Sequence, residues 1–229
     1  MNIRHKYNYR LMLENARLKV EHGVIRTFHA RRGRVTKNQI YALENYFSQF
    51  ELPEGPWDFK ELFGTKNIYF EIGCGSGEST IGFAKANPDS IIIAIEVHRP
   101  SISHLVENAH NEGLTNIRVA YSDGVQVLRD WVSDKSLSAI FAFFPDPWPK
   151  KRHNKRRLFR SEIVELMLKK LKPGGQIIAA TDWAEYGKQM LEVLPNSKLS
   201  IRPSWRPITK YERKGLAAQR EIMEIISQN

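Results

Sequence analysis

Chemistry is first written into spacing where Glu71-Ile72-Gly73-Cys74-Gly75-Ser76-Gly77-Glu78 follows an apolar run and opens a helical one. Glycines there let the backbone turn tightly and approach a ligand closely. Gly73 and Gly75 begin a dinucleotide fingerprint, but Glu78 stands where its third glycine belongs. An acid at a helix N-terminus repels a pyrophosphate. With Gly77 instead, the spacing suits a cofactor without phosphates, one with a cationic, amino-acid-like end. Glu96 closes the next strand pattern, placed to accept from two ribose hydroxyls. Asp123 follows the third strand pattern, where an adenine edge is read. Three acids after three successive strands form a coherent set for S-adenosyl-L-methionine.

After the fourth strand pattern comes Phe144-Pro145-Asp146-Pro147-Trp148-Pro149-Lys150. Its prolines fix φ, so Asp146 and Trp148 are held at little entropic cost. Asp146 is placed beside the methyl-donor pocket, and Trp148 is a platform on which a base stacks. Lys150, Lys151, Arg152, His153, Asn154, Lys155, Arg156 and Arg157 follow without a break. The candidate chemistry is therefore the covalent neighbour of a polyanion-binding run, which suits a substrate carrying both a base and a phosphate backbone.

The elements that must position these groups are short β-branched runs alternating with helical stretches. Strands are expected at 68–72, 91–96, 117–121, 139–144 and 176–181, with helices at 78–86, 99–111, 124–131, 159–171 and 184–194. Continuous rather than alternating apolar runs mean strands covered on both faces, hence a parallel sheet between helices. The stretch 222–226 adds an edge or antiparallel strand. Thr36 caps a helix with the apolar stripe Ile40, Leu43, Phe47 and Phe50.

The 229 residues carry 35 Lys and Arg against 25 Asp and Glu, a net +10. Residues 1–40, 148–160 and 198–220 together hold +21, which leaves −11 on the remainder. An acidic body with three basic segments fits a polyanion partner if the segments share a face. A single cysteine excludes an internal disulfide framework and fits a reducing, cytoplasmic setting. No apolar run approaches the ~18 residues of a membrane span, and the first ten residues hold no apolar signal region. The seven histidines show no ligand spacing, so no metal is expected. Residues 1–35 read as a basic flexible arm and 36–229 as the catalytic domain. Cys74, Trp183 and Tyr186 read as packing.

The chain resembles the bacterial tRNA (guanine-N7)-methyltransferase family. The resemblance rests on EIGCGSGE, FPDPWPKKRHNKRR, Thr181-Asp182-Trp183 and Thr209-Lys210-Tyr211-Glu212-Arg213-Lys214-Gly215, in the family's order over about residues 30–226. It implies an α/β, Rossmann-like class I methyltransferase fold, a doubly wound, mostly parallel sheet with an antiparallel C-terminal strand. It also implies methyl transfer from S-adenosyl-L-methionine to the guanine of the tRNA variable loop called position 46. Glu71, Glu96, Asp123 and Asp146 match cofactor-contacting positions, beside Gly73, Gly75 and Gly77 of the turn, and Asp146 is also the catalytic candidate. Lys150, Asp182, Thr209, Lys210, Tyr211 and Glu212 match substrate-binding positions. Arg152, His153, Asn154, Lys155, Arg156 and Arg157 match the stretch that touches RNA. Tyr211 and Lys214 replace the commoner Phe and Arg. The partner implied is tRNA, with no membrane and no metal, and a monomer or homodimer both fit.

The residue types alone leave three rivals: an inactive RNA-binding scaffold, a methyltransferase acting on an exocyclic amine, and an NAD-dependent oxidoreductase. The retained acids oppose the first. The loop sequence Asp-Pro-Trp-Pro-Lys differs from the Asp/Asn-Pro-Pro-Tyr/Phe of the second, but the residues alone do not decide the target atom, and that choice rests on the resemblance. The misplaced third glycine opposes the last.

Overall fold

A computed structural model describes residues 25–29 and 35–229. Most of the expected basic arm therefore lies outside the described residues. Helix α1, Lys37–Phe50, starts where Thr36 Oγ1 accepts from the Gln39 N–H and the Gln39 side chain accepts from the Thr36 N–H. That reciprocal cap satisfies two orphan donors. Ala42, Leu43, Phe47 and Phe50 turn inward, each large apolar side chain stabilising by roughly 1.5–3 kcal/mol. A one-turn helix, α2 (Phe59–Phe63), leads into the sheet.

The alternating core follows: β1 Ile68–Ile72, α3 Glu78–Ala86, β2 Ile91–Glu96, α4 Arg99–Asn111, β3 Ile117–Tyr121, α5 Gly124–Asp130 and β4 Leu137–Phe143. After a 3-10 turn at Lys151–Arg156 come α6 Ser161–Lys170, β5 Leu171–Thr181, α7 Ala184–Val193, β6 Lys198–Ser200, α8 Lys210–Ala217 and β7 Met223–Gln228. The sheet order is β3-β2-β1-β4-β5-β7-β6. Strands β1 to β5 are parallel, and β7 lies antiparallel between β5 and β6. All six residues of β2 are buried, as its unbroken apolar run requires. One core layer holds Phe70, Ile93, Val127, Phe159 and Tyr186. The other holds Phe47, Phe83, Leu105, Val119 and Phe141.

The order reverses between β2-β1 and β1-β4, and ligands of open α/β sheets bind at the carboxyl ends beside such a switch. The C-terminal segment is locked across the top by Trp205, whose ring meets Phe83, Phe141 and Phe143 at 5.1, 5.1 and 6.0 Å.

Two differences from the sequence reading bear on the site. Strand β5 begins at Leu171 rather than at 176, because Leu171 pairs with Leu137 before Pro173 and Gly174 bend the strand. The basic segment 209–217 is a helix: Thr209 caps it, accepting from the Glu212 N–H at 3.3 Å.

Candidate active site

The turn after β1 is fixed by its glycines and by the next strand. Gly73 and Cys74 donate to the Ile95 carbonyl at 2.8 and 3.2 Å. Gly75 and Gly77 have φ of 55° and 81°. At Gly77 a Cβ would lie 2.3 Å from Leu105 Cδ1, so a side chain is excluded twice over. Gly77 packs α3 on α4 and does not line either recess described below.

Glu96 completes this turn. One carboxylate oxygen accepts from the Gly75 N–H at 2.8 Å, and the other accepts from Val97 and His98 at 2.7 and 2.9 Å. Burial pushes its carboxyl above the ordinary value, and those backbone donors oppose the shift. Asp123 caps α5, accepting from the Val125 N–H at 2.9 Å, and burial raises its carboxyl too. Glu71 sits deeper. Burial pushes it up to about 7, against a 2.5 Å hydrogen bond from the Thr80 hydroxyl and the charge of Arg206.

The loop after β4 is held in an unusual shape. Phe144 and Trp148 both have left-handed φ, 54° and 45°, bracketing Pro145-Asp146-Pro147. Two bulky residues in that region store strain that the surroundings must impose. Arg157 imposes it. Its Nε donates to the Pro147 carbonyl at 2.8 Å, while Nη1 and Nη2 donate to Gln189 and Glu185 of α7 at 2.5 and 2.9 Å. Its guanidinium lies 5.0 Å from the Tyr186 ring centre, and the residue is 1% exposed. The expected RNA contact at Arg157 is therefore corrected. Its donors are spent inside the fold, and it positions the loop that carries Asp146.

Lys150, Lys151, Arg152, Lys155 and Arg156 are exposed around the 3-10 turn, with His153 and Asn154 half-buried. Partial burial first, and then Arg152, Arg156 and Lys150, holds the His153 imidazole below its ordinary value. His153 thus brings a hydrogen-bonding ring, rather than further charge, to a cationic rim.

A cavity of about 350 Å³ collects these parts. Gly73, Gly75, Glu96, Asp123, Asp146, Lys210 and Tyr211 all line it, at the carboxyl ends of β1, β2, β3 and β4. Glu71 lines a smaller recess shared with Gly73, Gly75 and Tyr211. Helix α8 forms one wall: the Lys210 N–H and the Arg213 guanidinium both hold Glu78 at 2.7 Å, which anchors that helix to the glycine turn.

Two expected substrate positions turn elsewhere. Glu212 is buried and paired with Arg206 at 2.7 Å, and Asp182 is paired with Arg220 at 2.7 Å beneath Gly215. Both shape α8 and its return rather than lining the cavity. The sequence reading missed Arg206, which carries Glu212 and Glu224 beneath Phe143 and Phe144, and Thr27, Phe28 and His29, which reach the cavity from before α1. Nothing in their spacing announces them. The signal for α8 was present in the Thr-x-x-Glu spacing of Thr209 and Glu212, of which the structure realises the Thr209 cap while the Glu212 carboxylate turns to Arg206.

Among the described residues no cluster of His, Cys, Asp or Glu has metal-binding geometry, and no helix is long and apolar enough to cross a membrane.

Comparison with known proteins bears on the family and the fold. The model of a family described as "Putative methyltransferase" matches residues 65–225. The tRNA (guanine-N(7)-)-methyltransferase of Salmonella choleraesuis (strain SC-B67) is 45% identical over 204 residues, spanning 83% of this chain and 85% of the relative. The enzyme of that name from Nitrosomonas eutropha (strain DSM 101675 / C91 / Nm57) is 39% identical over 216 residues, spanning 90% and 96%. Among solved structures, the 16S rRNA methyltransferase KamB superposes with a TM-score of 0.55 at 13% identity, covering 77% of this chain and 95% of its own. That likeness shows the Rossmann-like class I methyltransferase fold. On the matched length and identity, the chain belongs to the tRNA (guanine-N7)-methyltransferase family.

Proposed function

We propose that this protein transfers a methyl group from S-adenosyl-L-methionine to N7 of guanine 46 in the variable loop of tRNA, in the cytoplasm. One observation carries the reading: a single loop, residues 144–157, places Asp146 in the acid-lined cavity at the strand ends and carries the exposed cationic turn. The relatives' names supply the base and the polymer.

The cavity fits the methyl donor. Its volume lies within the range of small-molecule sites. Glu71, Glu96, Asp123 and Asp146 suit a ligand with a cationic sulfonium and an ammonium end, and Gly75 leaves its backbone open to it. Glu96 would hold the ribose hydroxyls, Asp123 the adenine edge, and Glu71 the amino-acid end. When bound, the donor supplies an electrophilic methyl carbon.

Guanine N7 already carries an exposed lone pair and has no proton to lose, so no strong base is required. Asp146 accepts from the N–H edge of the base and aligns N7 for in-line attack, worth much of the acceleration when the geometry is near-attack. Its carboxylate then faces the positive charge that develops on the ring. Lys150, Arg152, Lys155 and Arg156 bind phosphates, while Lys210 and Tyr211 border the opening. Extruding the base from the tRNA fold costs a few kcal/mol.

The decisive experiment incubates the enzyme with labelled methyl donor and unmodified tRNA transcript, followed by nucleoside analysis. We expect 7-methylguanosine, lost when guanine 46 is replaced by adenine. Label in any other nucleoside would overturn the reading.

Two further results are expected. Neutralising Arg152, Lys155 and Arg156 together lowers the slope of log affinity against log salt by about 2–3, since each lost phosphate contact removes about 0.7–0.9. An unchanged slope removes this turn from the RNA interface. The second concerns Glu71, whose folded value of about 7 stands above its unfolded one. The native state holds the extra proton in between, so the cost of its ionisation grows as pH rises to about 7. A cation bound beside it favours the carboxylate and expels that proton. Cofactor affinity should therefore rise about tenfold between about pH 6 and about pH 8, and Glu71→Gln should flatten that dependence. Titration calorimetry in buffers of different ionisation heat reads the released proton directly.

A further inference from the structure

Residues 25–29 reach the heart of the site. The His29 backbone N–H donates to Asp146 Oδ2 at 3.0 Å, and its ring Nδ1 lies 2.8 Å from the same oxygen. The imidazole lies flat on the Trp148 indole, with ring centres 3.8 Å apart and planes 16° from parallel. The indole N–H donates to the Thr27 carbonyl at 3.3 Å. Thr27, Phe28 and His29 all line the cavity that holds Glu96, Asp123 and Asp146.

A planar nitrogen heterocycle stacked on tryptophan, with N–H donors directed at a carboxylate, has the chemistry of a bound purine. Guanine offers the same combination: a π face, and an edge with two adjacent N–H groups that meet a carboxylate. Trp148 is only 4% exposed, so its indole has no open face. Three side chains surround it: Arg156 with its guanidinium 4.9 Å from the ring centre, His153 edge-on at 5.8 Å, and His29. Of these only His29 also occupies Asp146. It is also the easiest to remove, since its side chain is 52% exposed and its partner Asp146 is 32% exposed.

We propose that His29 is a resident occupant of the base seat formed by Trp148 and Asp146, and that the substrate guanine must displace it. This rests on the function proposed above and deepens it: the free enzyme keeps its own site filled, and RNA binding is an exchange of one stacked ring for another. A site open only part of the time weakens apparent affinity by the open fraction. With about a tenth of molecules open, removal of the plug tightens tRNA binding about tenfold.

The test uses full-length enzyme carrying 5-fluorotryptophan, with Trp148→Phe identifying the Trp148 fluorine signal among five tryptophans. Wild type and His29→Ala are compared free and saturated with unmodified tRNA transcript. Displacement requires that the two proteins differ in the free Trp148 signal and coincide in the bound one, and that His29→Ala binds tRNA several-fold more tightly. Bound signals that differ, or a variant that binds tRNA no better or worse, overturn the proposal. Failure of the functional reading is separate: it shows as wild-type enzyme that makes no 7-methylguanosine, whatever the fluorine spectra do.

Discussion

Asp146→Asn should lower kcat for tRNA methylation by about 10²–10³, the size of effect found when one preorganised electrostatic group is removed from a reacting centre. Asparagine keeps the size and one acceptor, but it loses the charge and presents N–H groups to the N–H edge of the base. The loop itself should not move, because its shape is set by its prolines and by Arg157 on the Pro147 carbonyl. On the proposed function Glu96 and Asp123 also hold the cofactor, so the loss should appear in kcat under saturation by both substrates. On the proposed function the phosphate grip belongs to the cationic turn, so tRNA affinity should change less than kcat. Single-turnover kinetics with excess enzyme is the measurement, and a rate within threefold of wild type would take the chemical step away from this carboxylate.

Arg206→Leu should be the most destabilising single change. Arg206 is completely buried and pairs with Glu212 at 2.7 Å and with Glu224, both of them buried. Burial already raises the Glu224 carboxyl and Glu212 adds to the rise, while Arg206 foremost, and then Arg202, opposes it. Removing the cation strands Glu224 and leaves Glu212 with only Arg202, at 3.6 Å, and breaking a buried pair in this way costs about 3–5 kcal/mol. At this chain length each kcal/mol lowers Tm by about 2–4 °C, so the expected drop is about 6–20 °C. The companion variant replaces all three with apolar residues, Arg206→Leu with Glu212→Leu and Glu224→Met. It should recover most of the loss, because the network is itself incomplete: Arg206 Nε and Glu224 Oε2 have no partner among the described residues. A single variant that melts with wild type would show that the pair is neutral. Since the guanidinium lies 4.9 and 5.6 Å from the Phe143 and Phe144 rings, the same change should loosen the entrance to the catalytic loop.

The contrast between these two residues explains what could be read in advance. The core strands 68–72, 91–96 and 117–121 and the helices 78–86 and 99–111 coincide with the observed β1, β2, β3, α3 and α4, because unbroken apolar runs and glycine punctuation are local signals. The acids at their ends were legible for the same reason: position after a strand fixes position at the pocket. Arg157 and Arg206 were not legible. Each stands in a basic segment, and charge composition cannot tell a guanidinium that faces solvent from one turned inward onto carbonyls and carboxylates across the fold. Strand β6, with three exposed residues, carries no burial pattern to detect. The approach of His29 to Asp146 spans 117 positions in sequence, beyond the reach of any periodicity.

The bracketing of Asp146 by two strained residues and three prolines bears on fidelity. A segment this stiff transmits displacement instead of absorbing it, so the cationic end, which on the proposed function grips phosphates, and the carboxylate end move as one lever. An RNA whose backbone sits an ångström out of register on the cationic turn would drag the carboxylate off line by a similar amount, an error that costs about 10²-fold in rate. On the proposed function, wrong RNAs would be gripped almost as well as right ones and turned over far more slowly, which would put discrimination in the chemical step and leave the grip promiscuous.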